Sequence, residues 1–295
     1  MKNKWIKITI LAIVILGALP FSFSVTQNQT DATLGVAASN NPNITDLNTD
    51  AASYDPTANG TTTVSIWFLA NDGDGYLNLD NTTAELHTNR SASLYGNEWH
   101  NNTSCTVVNV DWDTNNYTCT IVMNYYDVNG AWDINVSIKD DEGNFVNNTT
   151  ETFTYNSLTA MGTNKSSIDF GSSLNIGQQD VAATDDPIGV YNFGNQNLTK
   201  INVTAIGLQG QTHTNYYIPA SSFETDTDDV ADDSTALVNN TPVQIIDPTP
   251  VYINRGNGTN ESLYFHVDIP SSNIQVQTYN TTGAGTGAWT IAVED

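Results

Sequence analysis

Trp132, Ile134, Val136 and Ile138 alternate with Asp133, Asn135, Ser137 and Lys139. A period of two puts the apolar set on one face of a β-strand and the polar set on the other. Asn129-Gly130 offers a turn before this segment and Asp141-Glu142-Gly143-Asn144 offers one after it. Weaker versions of the pattern recur at 63–70, 84–88, 92–95, 105–110, 117–123 and 151–155. A second series falls at 167–171, 187–192, 197–205, 243–246, 263–270 and 288–293. Gly, Asn and Asp separate the runs, and no stretch carries a sustained helical period. Short strands at intervals of roughly ten residues predict an all-β chain built as a sandwich. The two series predict two such domains in tandem, over 56–160 and 161–295.

The first 55 residues lack this pattern. Lys2, Lys4 and Lys7 precede the apolar run Ile8–Leu19, as in a secretory signal over 1–24. Ser22-Phe23-Ser24 suits cleavage before Val25, and Val36-Ala37-Ala38 is a competing site; an uncleaved N-terminal anchor is the alternative. The run is shorter than the ~20 residues of a membrane span. Residues 25–55 are rich in Thr, Asn, Ala and Asp and predict a disordered stalk. No second apolar stretch follows, so no C-terminal membrane anchor is expected.

Charge narrows the partners. The chain has 8 Lys+Arg against 32 Asp+Glu, and beyond the leading segment only Arg90, Lys139, Lys165, Lys200 and Arg255 are basic. Such a surface repels phosphate backbones, so nucleic acid is excluded as a partner class. Asn-x-Ser/Thr triplets are roughly twice as frequent as the Ser and Thr content predicts by chance, which points to a glycosylating export route. The acceptors singled out are Asn43, Asn59, Asn81, Asn89, Asn102, Asn116, Asn135, Asn148, Asn164, Asn197, Asn202, Asn257 and Asn280. Asn135 and Asn202 sit between inward-facing apolar residues, which directs them outward. The two cysteines, Cys105 and Cys119, flank the turn Asp113-Thr114-Asn115-Asn116. In an exported chain they are expected to pair within one hairpin.

Chemistry is sparse. His87, His100, His213 and His266 are scattered, no Ser lies in a nucleophile elbow, and Gly283–Gly287 lacks the Lys and following helix of a phosphate loop. The chain is therefore expected not to be an enzyme and to require no cofactor. Ca²⁺ is the one candidate ion: Asp72, Asp74, Asn78 and Asp80 set hard oxygens around a Gly-rich turn, though without EF-hand spacing. Asp226, Asp228, Asp229, Asp232 and Asp233 form a second acidic cluster. Trp99, in a polar stretch taken as a loop, is the candidate ligand-binding residue, since its ring could stack on sugar. Trp67, Trp132 and Trp289 are assigned to the core.

The pattern from Gly130 through Trp132, Ile134, Val136, Ile138, Asp140-Asp141 and Gly143-Asn144 resembles the last hairpin of immunoglobulin-like and polycystic-kidney-disease-like domains. The block from Cys105 to Met161 is similar to archaeal exported surface proteins carrying such domains. Ile168–Gly171, Val190–Asn195 and Leu263–Phe265 resemble a recurrent second sandwich of that group. The resemblance implies immunoglobulin-like sandwiches and an extracellular or cell-surface location, and it carries over no catalytic residue. The expected function is a glycosylated structural or adhesive component of an envelope layer or appendage. Its partners would be other envelope proteins or further copies of itself. The alternative is an extracellular module that binds glycans or calcium.

Overall fold

Two hydrophobic cores organise the chain, and each is built by strands whose alternate residues face inward. The computed structural model describes residues 40–90, 98–230, 234–247, 249–281 and 288–295. The proposed signal segment, residues 25–39 of the proposed stalk and the strand expected at 92–95 lie outside these residues. No helix among the described residues is long and apolar enough to cross a membrane.

The first half contains β1 (Asn43–Thr49), β2 (Ser53–Tyr54), β3 (Thr61–Asn71), β4 (Leu79–Arg90) and β5 (Glu98–Asn102). It continues with β6 (Thr106–Asn109), β7 (Thr114–Asn124), β8 (Gly130–Asp140), β9 (Phe145–Asn148) and β10 (Thr152–Tyr155). One sheet has the order β1-β3-β7-β6, and the other β2-β10-β8-β4-β5, with β9 also paired to β8. Val64, Ile66, Phe68, Tyr117, Cys119 and Ile121 from the first sheet share one core with Leu86, Trp132, Ile134, Val136, Phe153 and Tyr155 from the second. Two sheets closing on one core make a β-sandwich.

The second half is more broken. Its strands are β11 (Met161–Thr163), β12 (Val181–Ala182), β13 (Ile188–Asn192), β14 (Lys200–Thr204), β15 (Leu208–Gly210), β16 (Tyr217–Ile218) and β17 (Phe223–Asp226). After them come β18 (Thr235–Ala236), β19 (Val243–Gln244), β20 (Ile246–Asp247), β21 (Thr249–Pro250), β22 (Asn260–Val267), β23 (Tyr279–Asn280) and β24 (Thr290–Glu294). The sheet β11-β13-β22-β17-β18 and the sheet β19-β14-β24 enclose a second core around Val190, Ile201, Val203, Phe223, Leu263 and Phe265. Residues 167–171, expected as a strand, are irregular. Ile168 and Phe170 nevertheless pack against this core, because burial requires an apolar side chain rather than a regular backbone.

Three expectations need correction. The stalk assigned to 25–55 ends earlier: β1 pairs along β3 from Asn43↔Asn71 to Thr49↔Ile66, with Ile44 and Leu47 buried. A register shift between Ile44 and Asp46 turns Leu47 rather than Asp46 inward, and this irregularity hid the strand from a strict period-two reading. Trp67 is not in the core, because β3 buries Val64, Ile66, Phe68 and Ala70 and leaves Trp67 on the opposite, half-exposed face. Trp99 belongs to strand β5, opposite Asn89 of β4, and not to a loop. Trp132 is fully buried as expected, and Trp289 packs at the margin of the second core.

Candidate functional site

The disulfide is where the hairpin reading puts it. Cys105 and Cys119 lie opposite each other just before the first pair of the β6–β7 ladder, Thr106↔Thr118, and are bonded with their Cα atoms 4.4 Å apart. The bond ties edge strand β6, exposed on both faces, to the interior strand β7.

The calcium candidates occupy the far end of the first sandwich, where β3 leads into β4, but their oxygens do not converge. Asp72 is 1 % exposed; its Oδ1 accepts the Asp74 N–H at 2.8 Å, while Oδ2 is buried with no hydrogen-bond partner. Asp74 instead holds Asn40, accepting its backbone N–H at 2.7 Å and its side-chain amide at 2.9 Å. Asn78 donates to Glu142 at 2.9 Å, and Asp80 accepts from the backbone and hydroxyl of Thr82 at 3.0 and 2.6 Å. Among the described residues no three His, Cys, Asp or Glu side chains are grouped to hold a metal ion. These carboxylates act as turn builders that accept nearby N–H groups.

Of the second acidic cluster, Asp232 and Asp233 lie outside the described residues. Asp226 is buried on β17, and Asp229 approaches the buried His266, Oδ1 to Nε2 3.8 Å. Close by is a carboxylate that sequence reading did not single out. Asp186 accepts the Phe265 N–H at 2.8 Å through Oδ2, while its Oδ1 is buried without a partner. Burial pushes its pKa up to about 6, against the lowering effects of the Phe265 N–H and His266; Asp185 and Asp229 add to the rise.

Trp99 is 66 % exposed on the outer face of β5. Trp112, in the β6–β7 turn, is 67 % exposed, and its carbonyl oxygen accepts the Tyr76 N–H at 3.0 Å.

The glycosylation candidates share a placement. Asn43, Asn59, Asn81, Asn89, Asn164 and Asn257 are exposed, and Asn102, Asn116, Asn135, Asn148, Asn197, Asn202 and Asn280 are half-exposed. Among the described residues the buried asparagines, Asn115, Asn192 and Asn195, lie outside the acceptor triplets. Local geometry differs between sites. Asn148 Oδ1 accepts from its own triplet's Thr150, backbone at 3.0 Å and hydroxyl at 2.8 Å. The attachment nitrogens of Asn102 and Asn202 instead donate to Thr120 O at 2.6 Å and Glu294 Oε1 at 2.9 Å.

One further cluster, absent from the sequence reading, joins the halves. Arg255 is 9 % exposed in its side chain; it pairs with Glu98 at 2.5 Å and donates to Tyr126 O at 2.7 Å. Glu98 in turn accepts the Val128 N–H at 2.7 Å. Gly258 N–H donates to the Tyr125 hydroxyl at 3.2 Å, and the Tyr125 and Phe193 rings meet edge-on at 6.3 Å. Buried Asn195 straps the connecting segment, accepting from Leu158 N–H at 2.7 Å and donating to Asn156 O at 2.9 Å. The expected boundary at 160/161 is therefore a braced joint, and the described residues form one compact unit.

In comparison with known proteins, the chain matches no family model and no curated protein.

Proposed function

We propose that this chain is a non-enzymatic, exported, N-glycosylated protein that serves as a structural or adhesive part of a cell envelope layer or surface appendage, built from immunoglobulin-like sandwiches. The observation that carries the reading is the segregation of its asparagines: acceptor residues lie on accessible positions and buried ones lie outside acceptor triplets. A paired disulfide suits an oxidising compartment. The braced joint suits a part that holds a fixed spacing under load, since a partly buried ion pair and rigid rings resist bending better than a free linker.

Glycopeptide mass spectrometry of the native protein, with cell fractionation and electron microscopy of the envelope, tests this reading. Occupied acceptors, envelope-associated protein and ordered assembly of purified protein are expected. Unmodified asparagines, or protein found only free in the medium that never assembles, would sink it. The second reading, a glycan-binding module, is favoured by the exposed Trp99. It requires sugar binding that is lost in Trp99→Ala.

A further inference from the structure

The outer face of the β1-β3-β7-β6 sheet differs in charge from the chain as a whole. The chain has 32 Asp+Glu, yet β3, β6 and β7 hold no charged residue among them. Charge enters this sheet only at Asp46 of β1, across from Leu69. β7 buries Tyr117, Cys119 and Ile121, so Asn116, Thr118, Thr120 and Val122 face outward. On β3 the same alternation turns Ser65, Trp67 and Leu69 outward. The ladder register sets Asn116 between Leu69 of β3 and Val108 of β6, and it sets Thr118 opposite Trp67. Val108 is 67 % exposed, and Trp67 and Leu69 are half-exposed. The outcome is a neutral strip of apolar and hydroxyl-bearing side chains with an asparagine at its middle.

Asn116 and Thr118 are the first and third residues of the acceptor triplet Asn116-Tyr117-Thr118, and both lie on this strip. The Asn116 Oδ1 is buried with no hydrogen-bond partner, whereas its Nδ2, which donates to no described residue, stays open to solvent. The amide nitrogens of Asn102 and Asn202 are by contrast committed to Thr120 O and Glu294 Oε1. Trp67 is uncommitted in the same way. Trp132 and Trp289 direct their indole N–H groups to Val128 O and Ile206 O, while that of Trp67 donates to no described residue.

Trp67 is the diagonal neighbour of Asn116 across the β3–β7 ladder. Such neighbours lie about 7–8 Å apart, within reach of ring-bearing and long side chains. A pyranose linked through Asn116 Nδ2 makes that residue long enough to reach the indole. The C–H face of a sugar packs on an aromatic ring, and its hydroxyls can accept the indole N–H and bond the Thr hydroxyls. An uncharged face suits a neutral ligand, because a charged group covered by sugar loses hydration without gaining a partner.

We infer that Asn116 carries an N-linked glycan whose first sugar lies over Trp67 and Leu69 and shields this strip, an assignment that rests on the glycosylated-export reading above. The occupant of the face is thus the chain's own sugar, held there by its covalent link.

The test uses the native glycoprotein and variants made in the same cells. Glycopeptide mass spectrometry reads occupancy at Asn116, and hydroxyl-radical footprinting reads the oxidation rate of Trp67, with Trp99 on the other sheet as internal standard. Asn116 is expected to be occupied. Thr118→Ala removes the acceptor while keeping Asn116, and it should raise Trp67 oxidation about threefold or more, since the rate follows the ring area open to solvent. Asn116→Gln should do the same, and Thr118→Ser, which preserves the triplet, should keep the native rate. Wild-type chain from a host that adds no N-linked sugar gives the same readout without a substitution. An empty Asn116 beside other occupied acceptors overturns the assignment and leaves the envelope reading standing. Native protein with every acceptor empty overturns both. An occupied Asn116 with Trp67 oxidised as fast as in the sugar-free chain means the glycan extends into solvent, and the packing over Trp67 is then refuted.

Discussion

Asp186 shows how one side chain can tie stability to pH. Its pKa, raised by burial to about 6 from 3.8, means the folded state holds a proton that the unfolded chain has released between these values. Stability from this group is therefore full below about pH 4 and is lost as pH rises through 6. Asp186→Asn keeps an acceptor for the Phe265 N–H and removes the charge. It is expected to flatten that fall and to raise stability at pH 7 by roughly 1–2 kcal/mol, a value discounted for partial solvent access. Urea unfolding of both proteins at pH 4, 5, 6 and 7 measures it; an unchanged pH slope would contradict the assignment. Gly194 offers a second residue-scale test. A Cβ there would lie 2.1 Å from the Leu158 carbonyl oxygen, a backbone atom fixed by the Asn195 strap. Gly194→Ala is expected to cost about 2–4 kcal/mol in thermal unfolding. Neither residue stood out in the sequence: an Asp among many carries no mark of burial, and a Gly carries no mark of what approaches it.

At the scale of elements, the β6–β7 hairpin and the joint make separate predictions. Replacing Cys105 and Cys119 with Ser should cost about 3 kcal/mol, the loop-closure entropy of a ring of this size, and should loosen β6 first, because β6 has a strand on one side only. Hydrogen exchange of Thr106–Asn109 would report it, and protection equal to the wild type would contradict it. At the joint, Arg255→Met leaves Glu98 short of its cation in a largely buried setting and is expected to destabilise by about 2–4 kcal/mol. Adding Glu98→Gln should recover part of that loss, which a double-mutant cycle reads. The hairpin was legible beforehand, since two cysteines flanking a turn leave little choice of partner. The joint was not: Arg255 and Glu98 are 157 residues apart, and nothing in either local sequence names the other. β1 illustrates the intermediate case, for its apolar residues are present but a register shift breaks the period that would have revealed them.

For the whole molecule, alternation along the chain was sufficient to determine an all-β fold with two cores, because burial of every second residue is a local property of extended backbone. Charge balance and acceptor triplets are likewise sums over sequence, and they bound the partners without any coordinates. The calcium reading shows where composition stops. Asp72, Asp74, Asn78 and Asp80 are close in sequence, yet Asp72 Oδ1, Asp74 and Asp80 accept from separate N–H or hydroxyl groups and Asn78 donates to Glu142, and convergence on a cation is a property of three-dimensional placement alone. Trp67, Trp99 and Trp112 make the same point for faces: the residue type is fixed, but which side of a sheet meets water depends on strands far away in the chain. That β24 has a strand on one edge only, among the described residues, also belongs to the tertiary structure, since a strand edge is defined by its neighbours. The sequence by itself determined the strand content, the pairing of the two cysteines within one hairpin and the residue types available to the surface. Only the tertiary structure decided which charges are buried and how the two cores are braced, because each of these depends on distances between residues that the chain order leaves unconstrained.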